Sequence, residues 1–317
     1  MGGRRPKAAP PHPLPLASMP SIQKLGIPVR ATRRRNRRWV YVAAWLFVIP
    51  ALLAYSAFGW YPMVNAFIVA FQHYTVVGPA TWVGLQNFRE LIQDSTALIA
   101  LRNSLYWAAL SLGLTFWPPI IVAVLLMEVS ERARRILMLL WFIPIPAVAS
   151  TVILKYLYNQ NYGLLNALWT KLGLPPFQWL DSSHWSLFLI VLPGLIMYGP
   201  GLIYIATLQA VPQELYEAAE LDGASFLRKV WAITIPTLRP IITVMLLLSL
   251  LTSLQVFTQP YIMTAGGPGF ATLTGVLYIF NTAFRRLQFG YADVLAIILF
   301  LILMIVVLIQ QRLTRGD

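Results

Sequence analysis

Few residues of this chain could do covalent chemistry. The three histidines, His12, His73 and His184, stand far apart in segments that read as tail or loop, and there is no cysteine. Without clustering, neither metal ligation nor thiolate chemistry has a site. No Ser-His-Asp set or pair of facing carboxylates can be assembled, so no catalytic residue and no metal site are expected. The glycine-rich run Gly266-Gly-Pro-Gly269 lacks the Lys-Ser/Thr of a nucleotide loop, and the chain is not expected to hydrolyse ATP itself.

Two groups of residues remain, and the chemistry of both is recognition. One is an acid-rich island between Leu208 and Pro240, with Glu214, Glu217, Glu220 and Asp222 around the small residues Ala218, Ala219 and Gly223. The other is a set of neutral polar and aromatic side chains, Tyr198, Tyr204, Gln255, Thr258, Gln259 and Tyr261, in otherwise apolar sequence. The island reads as two short helices. Pro212 suits a first helical position, the acids sit near the positive end of the helix dipole, and Gly223 is a left-handed stop. Ser225 is placed to cap a second helix from Phe226 to about Ile233, ended by Pro236. Leu215, Ala218 and Ala219 fall on one narrow face, able either to enter a groove closely or to lie as an interfacial hairpin on a bilayer.

The elements that must hold these groups are apolar. The chain is 58% hydrophobic and 11% charged over 317 residues, with a mean hydropathy of +0.67, a composition foreign to soluble domains. Hydropathy marks six spans, at about 40–62, 103–127, 136–156, 186–208, 240–263 and 294–311, each of roughly bilayer length. Pro50, Pro118-Pro119, Pro144, Pro146 and Pro200 interrupt them, which requires neighbouring helices to satisfy the freed carbonyls and so implies a bundle with kinked helices. The fold class expected is an all-α integral membrane protein of six transmembrane helices.

The net charge of +13 invites a nucleic-acid reading, but ten of the 24 Lys and Arg residues precede Trp39. A basic run directly before an apolar span is drawn to an anionic leaflet, so the partner expected is the lipid bilayer and no nucleic acid. Residues 1–38 are proline-rich and expected to be a disordered cytoplasmic tail, not a cleaved signal. Counting Lys and Arg on alternate sides of the spans gives eighteen on the side of the tail and six on the other. The positive-inside rule then sets both termini, and the loop 211–239, in the cytoplasm.

The spans carry almost no charge. Ion-coupled carriers usually hold Asp, Glu, His or Arg at mid-membrane, and voltage sensors carry Arg rows. A transporter without them takes its energy from a partner, and an exposed polar helix is where a partner would engage.

The island resembles the signature of type I ABC importer permeases of the carbohydrate class: Glu217-Ala218-Ala219, three residues, Gly223, nine residues, Ile233, one residue, then Ile235-Pro236. The family usually has Leu before that proline, so Ile235 is a mild departure. Tyr61-Pro62, Val83-Gly-Leu-Gln-Asn-Phe88, Tyr162-Gly-Leu-Leu-Asn166, Met263-Thr-Ala-Gly-Gly-Pro268, Tyr278, Ala283-Phe284 and Gly290-Tyr-Ala292 are similar to stretches of the maltose-type and glycerol-phosphate-type permeases. The resemblance covers about residues 40 to 312.

The resemblance implies a MetI-like bundle, a permease subunit that moves a sugar, oligosaccharide or polyol-type solute into the cytoplasm by alternating access. It implies no cofactor on this chain, with ATP and Mg held by partner subunits. The partners implied are a second, usually distinct permease subunit, two ATP-binding-cassette ATPase subunits and an extracytoplasmic solute-binding protein, in the cytoplasmic membrane of a bacterium or archaeon. Glu217 would make polar contacts in an ATPase cleft, the alanines would allow close approach, and Gly223 would set the turn.

Tyr198, Tyr204, Gln255, Thr258, Gln259 and Tyr261 are the candidates for a solute path. Gln255 and Gln259, four residues apart, would share a helix face, and the bland alternative is that these groups bind helices together. Gly266, Gly267 and Pro268 open an outer loop, read either as turn chemistry or as a segment at the cavity mouth. Tyr278, Phe280, Phe284, Phe289 and Tyr291 are expected at the lipid interface. The alternatives in other classes are an ion-coupled carrier or channel without an ATPase, a membrane enzyme, and an ABC permease for glycerol phosphate or another small solute.

Overall fold

The computed structural model describes residues 37–75, 78–141, 147–197 and 201–314. The tail up to residue 36, Pro144, Pro146, Tyr198, Gly199 and Pro200 lie outside the described residues. Backbone contacts divide the chain into a unit Met1–Tyr61 and a larger unit Pro62–Asp317. Helix dominates the described residues of each, because backbone polar groups in a hydrocarbon environment must be satisfied within their own segment.

Among the described residues four helices are long and apolar enough to cross a membrane: Tyr41–Val69, Ser95–Glu128, Phe226–Met263 and Phe289–Arg312. The remaining two expected spans, about 136–156 and 186–208, are overlapped only in part by the shorter apolar helices Val148–Leu157 and Ser186–Ile196. The latter is followed, beyond residues 198–200, by the helix Leu202–Gln209. Hydroxyls within these helices are returned to their own backbone: Thr115, Thr207, Thr243 and Thr252 each donate to the carbonyl four residues back at 2.8 to 2.9 Å. That bond lets a polar residue sit in an apolar helix without an orphaned donor.

Four π-turns interrupt the α-helical ladder among the described residues: Ser56–Trp60, Ser111–Thr115, Val230–Thr234 and Asn281–Arg285. Three of them stand just ahead of prolines, at Pro62, Pro118-Pro119 and Pro236, and the last two change expectations. The break expected at Pro118-Pro119 lies upstream, at 111–117, and the helix resumes with both prolines in its first turn. Pro236, expected to end a helix, instead sits in the first turn of Ile235–Leu254, which the π-turn starts afresh. The reason is the same in both cases. A proline's missing N–H costs little where a new α-helical segment begins, and the wider turn supplies that beginning.

Packing in the larger unit is layered along the helices. At the end carrying the polar hairpin, Phe116, Ile120, Ala123, Leu126, Tyr204, Ile205, Leu208 and Leu238 form one buried cluster. A middle layer is built on Trp107, Tyr158, Leu187 and Ile190. The opposite end is closed by Ala97, Ala100, Leu273, Leu277, Tyr278, Tyr291 and Leu295. There the backbone comes closest at Gly290, where an added Cβ would lie 2.0 Å from the Gln72 carbonyl oxygen. Beside it the Asn87 amide donates to the carbonyls of Ala70 and Gln72, at 2.8 and 2.9 Å. The Gln72 carbonyl belongs to the short strand Gln72–His73, paired with Thr81–Trp82, and the Ala70 carbonyl to the turn that leads into it, so one amide fixes both.

Candidate functional site

Two features could recognise something: the polar hairpin and a cavity among the helices. In the hairpin, the first helix runs Gln213–Leu221, with Pro212 at the capping position and not inside the helix. It ends in a Schellman arrangement, the Ala224 N–H donating to the Ala219 carbonyl and the Gly223 N–H to the Glu220 carbonyl, both at 2.9 Å. Gly223 adopts φ +74°, the left-handed position that this motif fills with glycine. Ser225 holds the capping position of the next helix, Phe226–Lys229, but its side chain makes no capping hydrogen bond.

The face this turn presents is open. Glu214, Glu217, Ala218, Asp222 and Gly223 are exposed, and Glu217 accepts a hydrogen bond from the Gln213 amide at 2.8 Å. Around them Leu215, Leu221 and Trp231 are exposed at 51, 91 and 70%. Small residues framed by acids and exposed apolar side chains suit insertion into a groove with a basic lip. Behind the helix lies a cavity of about 600 Å³, walled by Met127, Glu128, Arg134, Leu208, Gln213, Tyr216, Glu220, Lys229 and Thr234, among others.

The second feature is a cavity of about 530 Å³ on the seam between the helices Ser95–Glu128, Leu202–Gln209 and Phe226–Met263. Its walls include Tyr204, Gln255, Thr258 and Gln259, and also Trp107, Ser111, Thr115, Ser249, Thr252 and Phe257. Among the described residues that line it there is no Lys, Arg, Asp, Glu or His. Hydroxyls, amides and aromatic faces without charge are what a neutral polyhydroxylated solute requires. The π-turn Ser111–Thr115 is the device that turns two hydroxyl residues toward this seam. Nothing in the local pattern beyond small hydroxyls in an apolar run could have announced it.

The expected site residues are therefore only partly brought together. Gln255 and Gln259 do not share one helix face, because the helix stops at Leu254 and a new one starts at Thr258. They meet at the cavity through the break between them. Tyr261 is not itself among the walls: it stacks at 5.0 Å on Phe257, which is, packs edge-on to Phe280 and lies under the Arg285 guanidinium. Tyr198 lies outside the described residues, so nothing places it.

Gly266, Gly267 and Pro268 are not among the cavity walls either. The loop is knitted by the Thr272 hydroxyl, which donates to the Gly267 carbonyl at 2.9 Å. It is also held by Asn103, whose amide donates to the carbonyls of Phe270 and Leu273 at 2.8 and 3.0 Å. Gly266 has φ +93° and would bring a Cβ to 3.1 Å from Leu273, so a built turn explains the glycine.

At the same end, Asp94 is a residue that the sequence reading passed over. It caps the helix from Ser95, accepting from the N–H groups of Thr96 and Ala97 at 2.8 and 3.2 Å. It also accepts from the phenols of Tyr278 and Tyr291 at 2.5 and 2.6 Å. Burial alone would raise the carboxyl's pKa, but these four donors outweigh it and hold the value below the ordinary one for aspartate. The two tyrosines were expected at the lipid interface. At 2 and 4% exposure they are instead inside the protein.

With this geometry in place, the comparisons with known proteins are direct. Residues 120–316 match the family described as the binding-protein-dependent transport system inner membrane component. The arabinooligosaccharides transport system permease protein AraP of Bacillus subtilis is 31% identical, over 86% of this chain and 88% of its own length. The trehalose/maltose transport system permease protein MalF of Thermococcus litoralis is 29% identical, over 86% and 93%. A chain of a bacterial alginate ABC transporter, solved in complex with an alginate pentasaccharide-bound periplasmic protein, superposes with a TM-score of 0.77 at 21% identity. It covers 88% of this chain and 95% of that one.

Proposed function

This chain belongs to the family of binding-protein-dependent transport system inner membrane components, and from that premise we propose how it works. It is a multi-pass permease subunit of an ABC importer for a sugar or oligosaccharide, and it moves the solute by alternating access. The relatives named for arabinooligosaccharides and for trehalose and maltose support a carbohydrate cargo. The observation that carries the reading in this chain is the charge-free cavity walled by Tyr204, Gln255, Thr258 and Gln259. A phosphorylated solute such as glycerol phosphate would need a cation there, and the described residues of the walls offer none.

The energy comes from outside the chain. An ATPase subunit receives the helix Gln213–Leu221, with Glu214, Glu217 and Asp222 as polar contacts, Ala218 and Ala219 as the close-approach surface and Gly223 as the turn. A second permease subunit completes the path and two such ATPases work together. They hold ATP and its Mg²⁺, while this chain binds no cofactor. The hairpin and both termini face the cytoplasm, in keeping with the excess of basic residues on that side. The solute-binding protein engages the opposite face.

The test is co-purification. Expressed with its neighbouring transport subunits, the wild-type chain retains the ATPase subunit through affinity purification, and the Glu217→Lys chain loses most of it. Retention equal to wild type in Glu217→Lys refutes the docking assignment.

A further inference from the structure

The exposed face of the coupling helix explains docking, but docking moves nothing unless the helix is fixed to what must move. The opposite face of Gln213–Leu221 makes two cross-links to the root of the long helix that leads to Gln255. The Tyr216 and Thr234 hydroxyls are paired at 3.1 Å, and Lys229 Nζ donates to the Glu220 carboxylate at 2.6 Å. Tyr216 and Glu220 are four residues apart and so share a face of the first helix. On the receiving side, Lys229 and Thr234 are five apart. In an α-helix that spacing would set them roughly 140° apart around the axis. The π-turn Val230–Thr234, closed by the Ile235 N–H on the Val230 carbonyl, widens the turn to an i→i+5 period and brings the two positions toward one face.

We infer that Tyr216, Glu220, Lys229 and Thr234 are positioning residues that clamp the coupling helix to the root of the helix Ile235–Leu254, so that the two move as one lever. This inference rests on the proposed function. The two cross-links differ in kind. Thr234 is buried, at 4% exposure, whereas the Glu220 side chain is 61% exposed and the Lys229 side chain 13%. Solvent screens the ion pair more than the hydroxyl pair, so the hydroxyl pair is the firmer of the two links. The 600 Å³ cavity is lined by all four of these residues. The two side-chain links span its edge, and the lever's stiffness depends on them.

The experiment uses the complete importer in proteoliposomes, with binding protein and sugar, and reads solute transported per ATP hydrolysed. The Tyr216→Phe, Glu220→Gln double variant is expected to retain the ATPase subunit and hydrolyse ATP, while its transport per ATP falls about fivefold or more. The exchange variant Glu220→Lys, Lys229→Glu, which restores the ion pair, recovers at least half of the loss seen in Glu220→Lys alone. An unchanged ratio in the double variant, or an exchange variant no better than the single one, overturns the clamp. Neither outcome touches docking, which the retention of ATPase subunit by Glu217→Lys tests separately.

Discussion

Asp94 is the buttress of the end opposite the hairpin, and its removal should be felt through three helices at once. The carboxylate caps Ser95–Leu110, ties down Tyr278 of the helix Gly275–Phe280 and ties down Tyr291 of the helix Phe289–Thr314. In Asp94→Ala the lost cap costs about 1 kcal/mol. The two phenol bonds, discounted because the carboxylate is partly solvated, contribute about 1 kcal/mol each. Both phenols are then left inside the protein, with Tyr278 keeping a contact from Arg286 at 3.3 Å and Tyr291 gaining no obvious substitute. That adds about 1 kcal/mol more, for a total near 4 kcal/mol.

For a chain of this size such a loss lowers the Tm by about 5–10 °C, readable by a thermal-shift scan of the purified chain in detergent or nanodiscs. The Tyr278→Phe, Tyr291→Phe double variant should lose less, about 1–2 kcal/mol, because the carboxylate left behind can still reach water and keeps its cap. The pH dependence has a definite sign. Because the folded pKa lies below the ordinary aspartate value, the stabilisation is present above about pH 4 and is lost as pH falls through the folded pKa. Asp94→Ala should therefore flatten the acid limb of Tm against pH. An Asp94→Ala chain within one or two degrees of wild type, or one less damaged than the double tyrosine variant, would refute this reasoning.

Three further outcomes are expected. Gly223→Asp places a β-carbon on a left-handed residue and a charge on the docking turn; it should cost the hairpin about 1 kcal/mol and sharply reduce sugar-stimulated ATP hydrolysis, measured as phosphate release. Gln255→Ala with Gln259→Ala removes two neutral hydrogen-bonding groups worth together about 2 kcal/mol, raising the KM for sugar uptake by about thirtyfold or altering preference across a sugar panel, with unchanged Tm. Gly290→Ala must push the chain away from the Gln72 carbonyl, which its Cβ would approach to 2.0 Å; the overpacking should lower stability by about 1–3 kcal/mol, read as an earlier thermal transition.

Much of this architecture could be read from residue order alone, where the information is local. Gly223 announces its turn because a left-handed position selects glycine almost alone, and the helices announce themselves because lipid demands continuous apolar runs. What escaped depends on distant partners. Asp94 reads locally as a simple helix cap, while its two phenols come from 184 and 197 residues further along. Asn103 reads as a polar interruption in a span, though it holds a loop 167 to 170 residues away.

The cavity shows a subtler gap. Gln255 and Gln259 have the spacing of one helix face, yet they converge through a helix break. Tyr261 stands one ring back from the cavity, stacked on the wall residue Phe257 and packed against Phe280. Pro236 was read as a stop because proline breaks an α-helix, and only the π-turn before it shows how the helical course continues.

The central claim is that this permease takes its energy from ATP delivered through the hairpin, not from an ion gradient. The measurement that tests it most directly is labelled-sugar uptake into proteoliposomes holding the complete importer and binding protein. ATP is placed on the hairpin side, with and without imposed proton or sodium gradients. Uptake that requires ATP, is indifferent to either gradient and collapses in Glu217→Lys is the predicted result. Uptake driven by a gradient in the absence of ATP, or undiminished in Glu217→Lys, would contradict it.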